Sequence, residues 1–260
     1  MTIVKVAKRP TGVRFNTGSQ PIVFDDENDV PWVVKYQNNP QGIRVLANEW
    51  VCSALANLMQ LPVPEVTLIN LPEAVVAGNN LLVNGVPVQH GLCFGCKYIN
   101  PNICPPYPFQ IQNLVNPDAL TGLVVFDTWL VNADRTHNKG NLLVSPFNVA
   151  SAGASQYVFH LIDMGFIVRG DWTANVLLQH KNYGNVCSCN PLITCHLNNK
   201  GIFQKYLDRL ESLDITEIWR IVQTIPPEWK VSDEDADALY SFLRHRMSYV
   251  RAIITNAGLC

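Results

Sequence analysis

The sequence lacks any apolar run long enough to cross a membrane. A membrane-spanning helix needs about 20 consecutive apolar residues, and polar residues interrupt each hydrophobic stretch of this chain before that length. The N-terminal residues interleave lysine and arginine with short apolar pieces, without the apolar core of a signal peptide. From these two absences we expect a cytoplasmic protein.

Charge is also scarce. Only 15% of the 260 residues are charged and the net charge is −2, whereas 48% are hydrophobic. A strongly basic surface, typical of proteins that bind nucleic acids or anionic membranes, is therefore not expected. The chain has no internal repeat and no low-complexity linker, and it is long enough to bury a large core. We expect one large domain or two closely packed lobes.

Eight cysteines fall partly into two groups. In a reducing compartment most of them would be buried free thiols that pack as small hydrophobic side chains. A C-x2-C pair joined by a second Cys/His group can also form a zinc site. The second group has C-x-C spacing, however, and nothing in the sequence shows that the two groups meet. We favour plain thiols and keep zinc as the alternative. The two groups are Cys93, Cys96 and Cys104, and Cys187, Cys189, Cys195 and His196.

The first hundred residues read as β-rich with one helix. QPIVFDD, VPWVVKY, EVTLINL and GLCFGCKYI are short segments rich in Val, Ile and aromatic residues, which predicts strands. Apolar residues recur at three- and four-residue steps from Ile43 to Leu58, which predicts an amphipathic helix. Asn84-Gly85 predicts a tight hairpin turn. The proline-rich connector NPNICPPYP then predicts a lobe boundary, with residues 1–100 and 101–260 as the two lobes.

The rest of the chain reads as mainly helical. Asn116-Pro117-Asp118 has the composition of a helix start, with Asn116 as a capping side chain. NLLVSP and VFHLIDMGFIV predict two strands, and Ser232 is the predicted cap of the last helix. This order predicts an α+β fold of the bilobal protein-kinase type, with a small β-rich N-lobe containing one helix and a larger helical C-lobe.

A cluster of polar residues interrupts two apolar segments in FDTWLVNADRTHNKGNLLV, residues 126–144. Asp134 lies where a buried helix ends, Asn141 opens the next strand, and Asp163 follows the second strand of the hairpin. In phosphoryl transfer, one aspartate orients the attacking hydroxyl, while an Asn and a second Asp hold Mg²⁺ against the nucleotide phosphates. Mg²⁺ prefers such hard oxygen ligands. The order therefore predicts Asp134 as catalytic base and Asn141 and Asp163 as metal ligands.

Residues of the first hundred fit the same chemistry. Lys35 ends a strand from which a lysine could reach the α- and β-phosphates of ATP, and Glu49 on the predicted helix could pair with it. Gly18 and Ser19 lie in a small-residue turn where backbone N–H groups could approach phosphates. None of these features is specific to a kinase by itself. The prediction depends on their order along the chain.

At these residues the chain resembles the HipA-like kinases, part of a broader group that also resembles the phosphoinositide kinases. NADRTHNKGNLLV resembles the catalytic loop of that family, LIDMG its metal-binding Asp-x-Gly, and NEWVCSALANLMQLPVPE its N-lobe helix with an L-P-V-P turn. The resemblance spans about residues 12 to 170 and implies an enzyme that uses ATP and Mg²⁺. It also implies transfer of the γ-phosphate to a hydroxyl acceptor, with a protein Ser/Thr favoured over a lipid or a small molecule.

The chain departs from the family pattern in one respect. The family's metal-binding Asn follows the catalytic Asp by five positions, where this chain has Lys139. The candidates are Asn138 and Asn141, and we favour Asn141 because it directly precedes the strand. The longer loop keeps a second hypothesis open, namely a pseudokinase that binds nucleotide or a partner protein without transfer.

Simpler readings exist for the same residues. Asp134 could only end a helix, with Arg135 as its ion-pair partner, and Asp163 before Met164-Gly165 could be a turn residue. Lys35 could be a solvated lysine at a strand end. Glu49 could belong to a solvent-exposed polar helix face, which Asn48, Ser53 and Asn57 would mark. For Asp127 we expect a buried carboxylate bonded to loop backbone, and for His137 an exposed side chain.

Overall fold

The computed structural model describes residues 4–100, 103–104, 106–137, 141–148, 155–188, 191–194, 197 and 199–260. Its strands are β1 (Val4–Arg14), β2 (Ile22–Asp26), β3 (Pro31–Lys35), β4 (Val66–Leu71), β5 (Leu82–Val83), β6 (Val86–Pro87), β7 (Gly91–Lys97), β8 (Leu142–Asn148) and β9 (Gln156–Leu161). Its helices are α1 (Arg44–Leu58), α2 (Glu73–Gly78), α3 (Pro108–Gln112), α4 (Asp118–Leu130), α5 (Asp134–His137), α6 (Ala174–His180), α7 (Pro191–Thr194), α8 (Lys200–Glu211), α9 (Ile215–Gln223) and α10 (Asp233–Asn256).

Five strands of the N-terminal part form a closed sheet in the order β1-β2-β3-β7-β4. Neighbouring strands are antiparallel except for β1 and β4, which are parallel. Alternate side chains point inward, and the interior contains an apolar cluster that includes Phe24, Trp32, Val34, Ile69 and Cys93. The four strands predicted in this region are confirmed. Strand β1 has no counterpart in the sequence prediction, and most of its residues are exposed.

The Asn84-Gly85 hairpin is also confirmed. β5 pairs with β6, and the two turn residues have φ of 49° and 78°. Both central residues of this turn type require positive φ, a conformation that glycine adopts without strain and asparagine tolerates better than most residues.

The helix predicted from Ile43 to Leu58 is confirmed as α1, but it is not amphipathic, because nearly all of its sides are buried. One side packs on the sheet, where Leu46 and Ala47 meet Leu68 and Phe94. Asn48 and Ser53, expected on a solvent-exposed face, are buried. The sheet, α9 and the chain after residue 163 all contact this helix, so little of its surface remains for water.

Helix α4 is the centre of the C-terminal part. Its residues from Ala119 to Leu130 are buried, and α8 and α10 pack against it. Asn116 does not cap this helix, in contrast to the prediction. Its side chain instead pairs with the backbone of Phe159 on β9, through hydrogen bonds of 3.0 and 2.9 Å. The residue therefore joins α4 to the β8–β9 hairpin.

A buried arginine closes the C-terminal end of α4. Arg246 of α10 donates hydrogen bonds to the carbonyls of Thr128 and Trp129 in the last turn of α4 and to that of Tyr183. Burial lowers the pKa of Arg246 to about 10. A cation at a helix C-terminus satisfies carbonyls that have no partner within the helix.

The chain after β9 is helical, as predicted, with α6 to α10 among the described residues. The cap of α10 is confirmed, because the Ser232 side chain accepts a hydrogen bond from the amide of Asp235. Among the described residues, no helix combines the length and the apolar character that crossing a membrane requires. The boundary between residues 1–100 and 101–260 stays a prediction, as residues 101, 102 and 105 lie outside the described part.

Candidate active site

A cavity of about 470 Å³ lies between the sheet with α1 on one side and the α5–β9 region on the other. Residues far apart in the sequence line it together. All seven residues proposed from the sequence for the active site are among them: Gly18, Ser19, Lys35, Glu49, Asp134, Asn141 and Asp163.

Lys35 is the charged centre of this cavity. Its position at the end of β3 directs the ammonium group towards α1, where it donates to Glu49, and towards Asp163, whose Oδ1 lies 2.8 Å from Nζ. We call these three residues the Lys35 cluster. Only 8% of the Lys35 side chain is exposed, so the reading as a solvated lysine is wrong. Burial alone would lower the pKa of Lys35, but the two carboxylates outweigh it and raise that pKa.

The two carboxylates of the Lys35 cluster have different surroundings. Glu49 lies within α1, and burial raises its pKa although Lys35 opposes the shift. Burial would also raise the pKa of Asp163, but the Lys35 ammonium lowers it below the ordinary value. The Asp163 side chain is 35% exposed towards the cavity. Asp163 is therefore the carboxylate of the cluster that a ligand in the cavity can reach, whereas Glu49 is 3% exposed.

Gly165 is the glycine of the Asp-x-Gly motif, and its place against α1 explains the residue type. A Cβ atom here would lie 2.8 Å from Val45 Cγ1 and 3.1 Å from Glu49 Oε1. No side chain fits between the backbone and α1 at this distance. The motif thus lets the chain after Asp163 pass directly under the helix that carries Glu49.

Asp134 and Asn141 lie together on the C-terminal side of the cavity. Asn141 Nδ2 donates to Asp134 Oδ2 over 2.6 Å, so the seven-residue spacing still brings the two side chains into contact. The amide of Asp134 itself donates to Asn132 Oδ1 at 3.3 Å. Asn138, the other candidate, lies outside the described residues, and so does the side chain of His137.

A second buried cluster supports this loop from beneath. Arg135 Nε donates to Asp127 Oδ2 at 2.8 Å, and Ser188 and Asn132 donate to the same carboxylate. We call these four residues the Arg135 cluster. Asp127 therefore bonds side chains rather than loop backbone, contrary to expectation. Asp134 is not the ion-pair partner of Arg135 either.

The Arg135 guanidinium also ties two sequence motifs together. It donates to the carbonyl of Asn141 at 2.9 Å and to the carbonyls of Ile162 and Asp163. Arg135 thus connects the strand start at Asn141 with the end of β9. Asp127 orients the guanidinium that makes these connections.

Gly18 and Ser19 lie in the turn between β1 and β2, on the sheet side of the cavity. The turn is closed by a hydrogen bond from the Gln20 amide to the Thr17 carbonyl at 3.1 Å. Ser19 is buried. Both residues border the cavity, and within the described part of the chain no hydrogen bond joins them to the Lys35 cluster. Their approach to phosphates stays a prediction.

The first cysteine group does not form a shared metal site. Cys93 and Cys96 are three positions apart on β7, so their side chains point to opposite faces of the strand. Cys93 packs inside the sheet and Cys96 lines the cavity. Within the described ranges, no three His, Cys, Asp or Glu side chains are grouped to hold a metal. Cys189, Cys195 and His196 fall outside these ranges.

Several cavity residues were not identified from the sequence. Val33, Cys96 and Val66 stand side by side on β3, β7 and β4 and form an apolar wall next to Lys35. Strand alternation could have indicated Val33, which lies two residues before Lys35. Ser53 was assigned to a polar surface; its buried hydroxyl lines the cavity and has no hydrogen-bond partner among the described residues.

The alignment with one solved structure supports a kinase-like fold with mixed helices and strands. The proinflammatory kinase CtkA of Helicobacter pylori aligns with a TM-score of 0.67 at 16% identity, covering 99% of each chain. The Golgi casein kinase with Mn and ADP bound aligns with a TM-score of 0.43 at 11% identity, over 98% of this chain and 73% of that chain. The Rio2 kinase of Chaetomium thermophilum aligns with a TM-score of 0.45 at 12% identity, over 93% of this chain and 72% of that chain.

A kinase-like fold with a Lys–Glu pair and two aspartates at one cavity is the architecture of a phosphotransferase. The chain belongs to the HipA-like kinase family, because the model of that family matches residues 11–255. It is therefore a kinase, and the resemblance noted in the sequence is confirmed. No similar sequence was found among curated proteins.

Proposed function

We propose that the protein is a bilobal, ATP- and Mg²⁺-dependent kinase that transfers the γ-phosphate to a Ser/Thr hydroxyl of a protein. The observation that supports this most is the convergence of Lys35, Asp134, Asn141 and Asp163 on one cavity. The contacts Lys35–Asp163 and Asn141–Asp134 join groups that are 128 and 7 residues apart in sequence. The preference for a protein acceptor rests on the family alone.

The residues present suit Mg²⁺ and a nucleotide. A cavity-facing carboxylate at Asp163 and an amide side chain at Asn141 are hard oxygen ligands, and Mg²⁺ completes its shell with water and substrate phosphates. When bound, the ion would neutralise charge on the transferring phosphoryl group. Lys35, held by Glu49, would contact the phosphates, and Gly18 and Ser19 would cover them. The apolar wall at Val33 suits the adenine ring.

Asp134 would orient the acceptor hydroxyl and take its proton. Its carboxylate reaches the cavity, and Asn141 fixes one of its oxygens by a hydrogen bond. The group that accepts this proton must be within hydrogen-bond reach of the substrate hydroxyl.

Calorimetric titration of ATP with and without Mg²⁺ tests the site, together with turnover of Asp163→Ala. We expect saturable ATP binding that tightens with Mg²⁺, and a loss of about a hundredfold or more in turnover. Asp237→Ala, a change at an exposed aspartate of α10, should retain wild-type turnover. Full turnover of Asp163→Ala would falsify the assignment. Binding of ATP by wild-type protein without any transfer would favour the pseudokinase that the longer Asp134–Asn141 spacing suggested.

A further inference from the structure

Helix α1 holds the chain after Asp163 through two adjacent side chains. Glu49 Oε2 accepts a hydrogen bond from the Met164 amide at 3.1 Å. Asn48 Nδ2 donates to the carbonyls of Gly165 at 2.7 Å and Gly170 at 2.8 Å. We call residues 164–174 the post-Asp163 segment. Two successive residues of this segment are therefore bound to α1.

A third hydrogen bond completes the environment of Asn48. Its Oδ1 accepts from the indole Nε1 of Trp172 at 2.6 Å, and the residue is 1% exposed. Both amide hydrogens and the carbonyl oxygen of the side chain are thus used. Aspartate has the same shape but supplies no donors at neutral pH, and serine is too short to span two carbonyls. The site therefore suits the amide of asparagine.

The backbone at Asp163 needs such support. Asp163 has φ of 56°, a left-handed conformation that costs energy in residues other than glycine and persists only where neighbouring contacts impose it. Arg135 holds the carbonyls of Ile162 and Asp163 from the C-terminal side. Asn48 and Glu49 hold the next two residues from the opposite side. The carboxylate direction is set between these two sets of contacts.

We infer that Asn48 is a positioning residue for catalysis, which fixes Asp163 by attaching the post-Asp163 segment to α1. The inference rests on the proposed role of Asp163 as a metal ligand. Asn48 makes this attachment with an uncharged side chain, next to the contact of Glu49 with the Met164 amide.

Two variants test this role at different severity. Asn48→Ala removes all three hydrogen bonds, and Trp172→Phe removes only the indole donor while keeping a ring next to Arg44, whose guanidinium lies 4.9 Å from the Trp172 ring centre. Displacement of a catalytic group by about 1 Å from a remote change can cost about a hundredfold in rate. We expect Asn48→Ala to lower kcat about ten- to a hundredfold, and Trp172→Phe to lower it less.

Trp129→Phe is the matched control. Trp129 is also fully buried, and its indole N–H also donates to an oxygen, the Leu243 carbonyl at 2.9 Å. This bond joins α4 to α10 and has no link to Asn48. The control should lose thermal stability comparably to Trp172→Phe while keeping its kcat. Equal kcat in the two Phe variants, each at wild-type level, would overturn the positioning role.

The Mg²⁺ requirement separates positioning from simple loss of structure. If Asp163 is displaced, the Mg²⁺ concentration for half-maximal turnover should rise several-fold in Asn48→Ala, more than the KM for ATP. The double variant Asn48→Ala with Trp172→Phe should lose no more kcat than Asn48→Ala alone, because Trp172 acts through Asn48. Fully multiplicative losses would contradict this order of action.

The possible failures are distinguishable. Wild-type turnover in Asp163→Ala would reject the proposed function, and with it the positioning role. Loss of turnover in Asp163→Ala, with kcat and Mg²⁺ dependence unchanged in folded Asn48→Ala and Trp172→Phe, would reject only the inference. If Asn48→Ala does not fold, the comparison of kcat between Trp172→Phe and Trp129→Phe still tests the positioning role.

Discussion

The Lys35 cluster and the Arg135 cluster are both buried groups of opposite charges, yet they differ in their access to the cavity. Both side chains of the Arg135–Asp127 pair are 0% exposed, whereas Asp163 is 35% exposed. Protein donors surround the Asp127 carboxylate on both oxygens. The difference separates two uses of buried charge: a sealed pair holds the chain in shape, while an open one can receive a ligand.

The largest test of this difference removes one carboxylate from each cluster. Asp127→Ala leaves the Arg135 cation buried without a counter-charge, and breaking a buried pair in this way costs about 3–5 kcal/mol. Asp163→Ala should cost far less stability, because Lys35 keeps Glu49 as its partner, although turnover is lost. Urea denaturation of both variants measures the free energies of unfolding.

Asp118→Ala is the control for that comparison. Asp118 lies on the same helix as Asp127, but its side chain is half exposed. Its ion-pair partner, Lys205 Nζ, is 3.9 Å away. Such a surface pair contributes about 1 kcal/mol or less. Equal losses of unfolding free energy for Asp118→Ala and Asp127→Ala would show that burial of the Asp127 pair does not set its contribution to stability.

Asp26 is a buried, paired carboxylate of the sheet, and its contribution to stability depends on pH. Burial alone would raise its pKa, but the backbone amides of Val30 and Asn28, the Lys5 ammonium and the Trp32 indole outweigh burial and lower the pKa to about 2. The folded value lies below the ordinary 3.8, so the stabilisation is complete above about pH 4 and is lost as pH falls through 2. It amounts to about 2 kcal/mol.

Denaturation of wild-type protein and of Asp26→Asn between pH 7 and pH 2 measures this contribution. The difference in unfolding free energy between the two proteins should shrink as the pH approaches 2. A constant difference across this range would show that hydrogen-bond geometry, rather than ionisation, is what Asp26 contributes.

The smallest effect compares two buried hydroxyls instead of charges. Ser145 Oγ bonds His160 Nε2 at 2.8 Å, whereas Ser53 faces the cavity without a partner among the described residues. Removing an unpaired buried hydroxyl relieves a desolvation cost, and removing a paired one forfeits about 1 kcal/mol. Ser53→Ala should therefore melt at or slightly above the wild-type temperature, and Ser145→Ala below it. A melting temperature lowered equally in both would contradict the comparison.

Local pattern was enough to predict much of the fold. Helix α1, the Asn84-Gly85 turn and the Ser232 cap depend on neighbouring residues, and each is confirmed. Strand β1 was missed because its long, mostly exposed sequence has no clear alternation. One of its partners is the parallel strand β4, more than 50 residues later, and pairing at that separation leaves no local signal.

The candidate site shows the same limit. Arg135 was paired with its neighbour Asp134, but adjacent residues on a helical turn do not face each other, and the partner is Asp127, eight positions earlier. Asn48 was placed on a surface because its carbonyl partners lie 117 and 122 residues further on. Order along the chain predicted which residues meet at the cavity. It could not show what covers each of them.

The contacts of Arg246 affect the order in which parts of the chain can fold during synthesis. Its hydrogen bond to the Trp129 carbonyl, at 3.2 Å, joins residues 117 positions apart. During synthesis the ribosome therefore releases α4 and the loop that carries Asp134 long before α10 can close the end of α4. We expect this loop to reach its final form only after α10 has left the exit tunnel, so the nascent chain would not transfer phosphate while most of it is already outside.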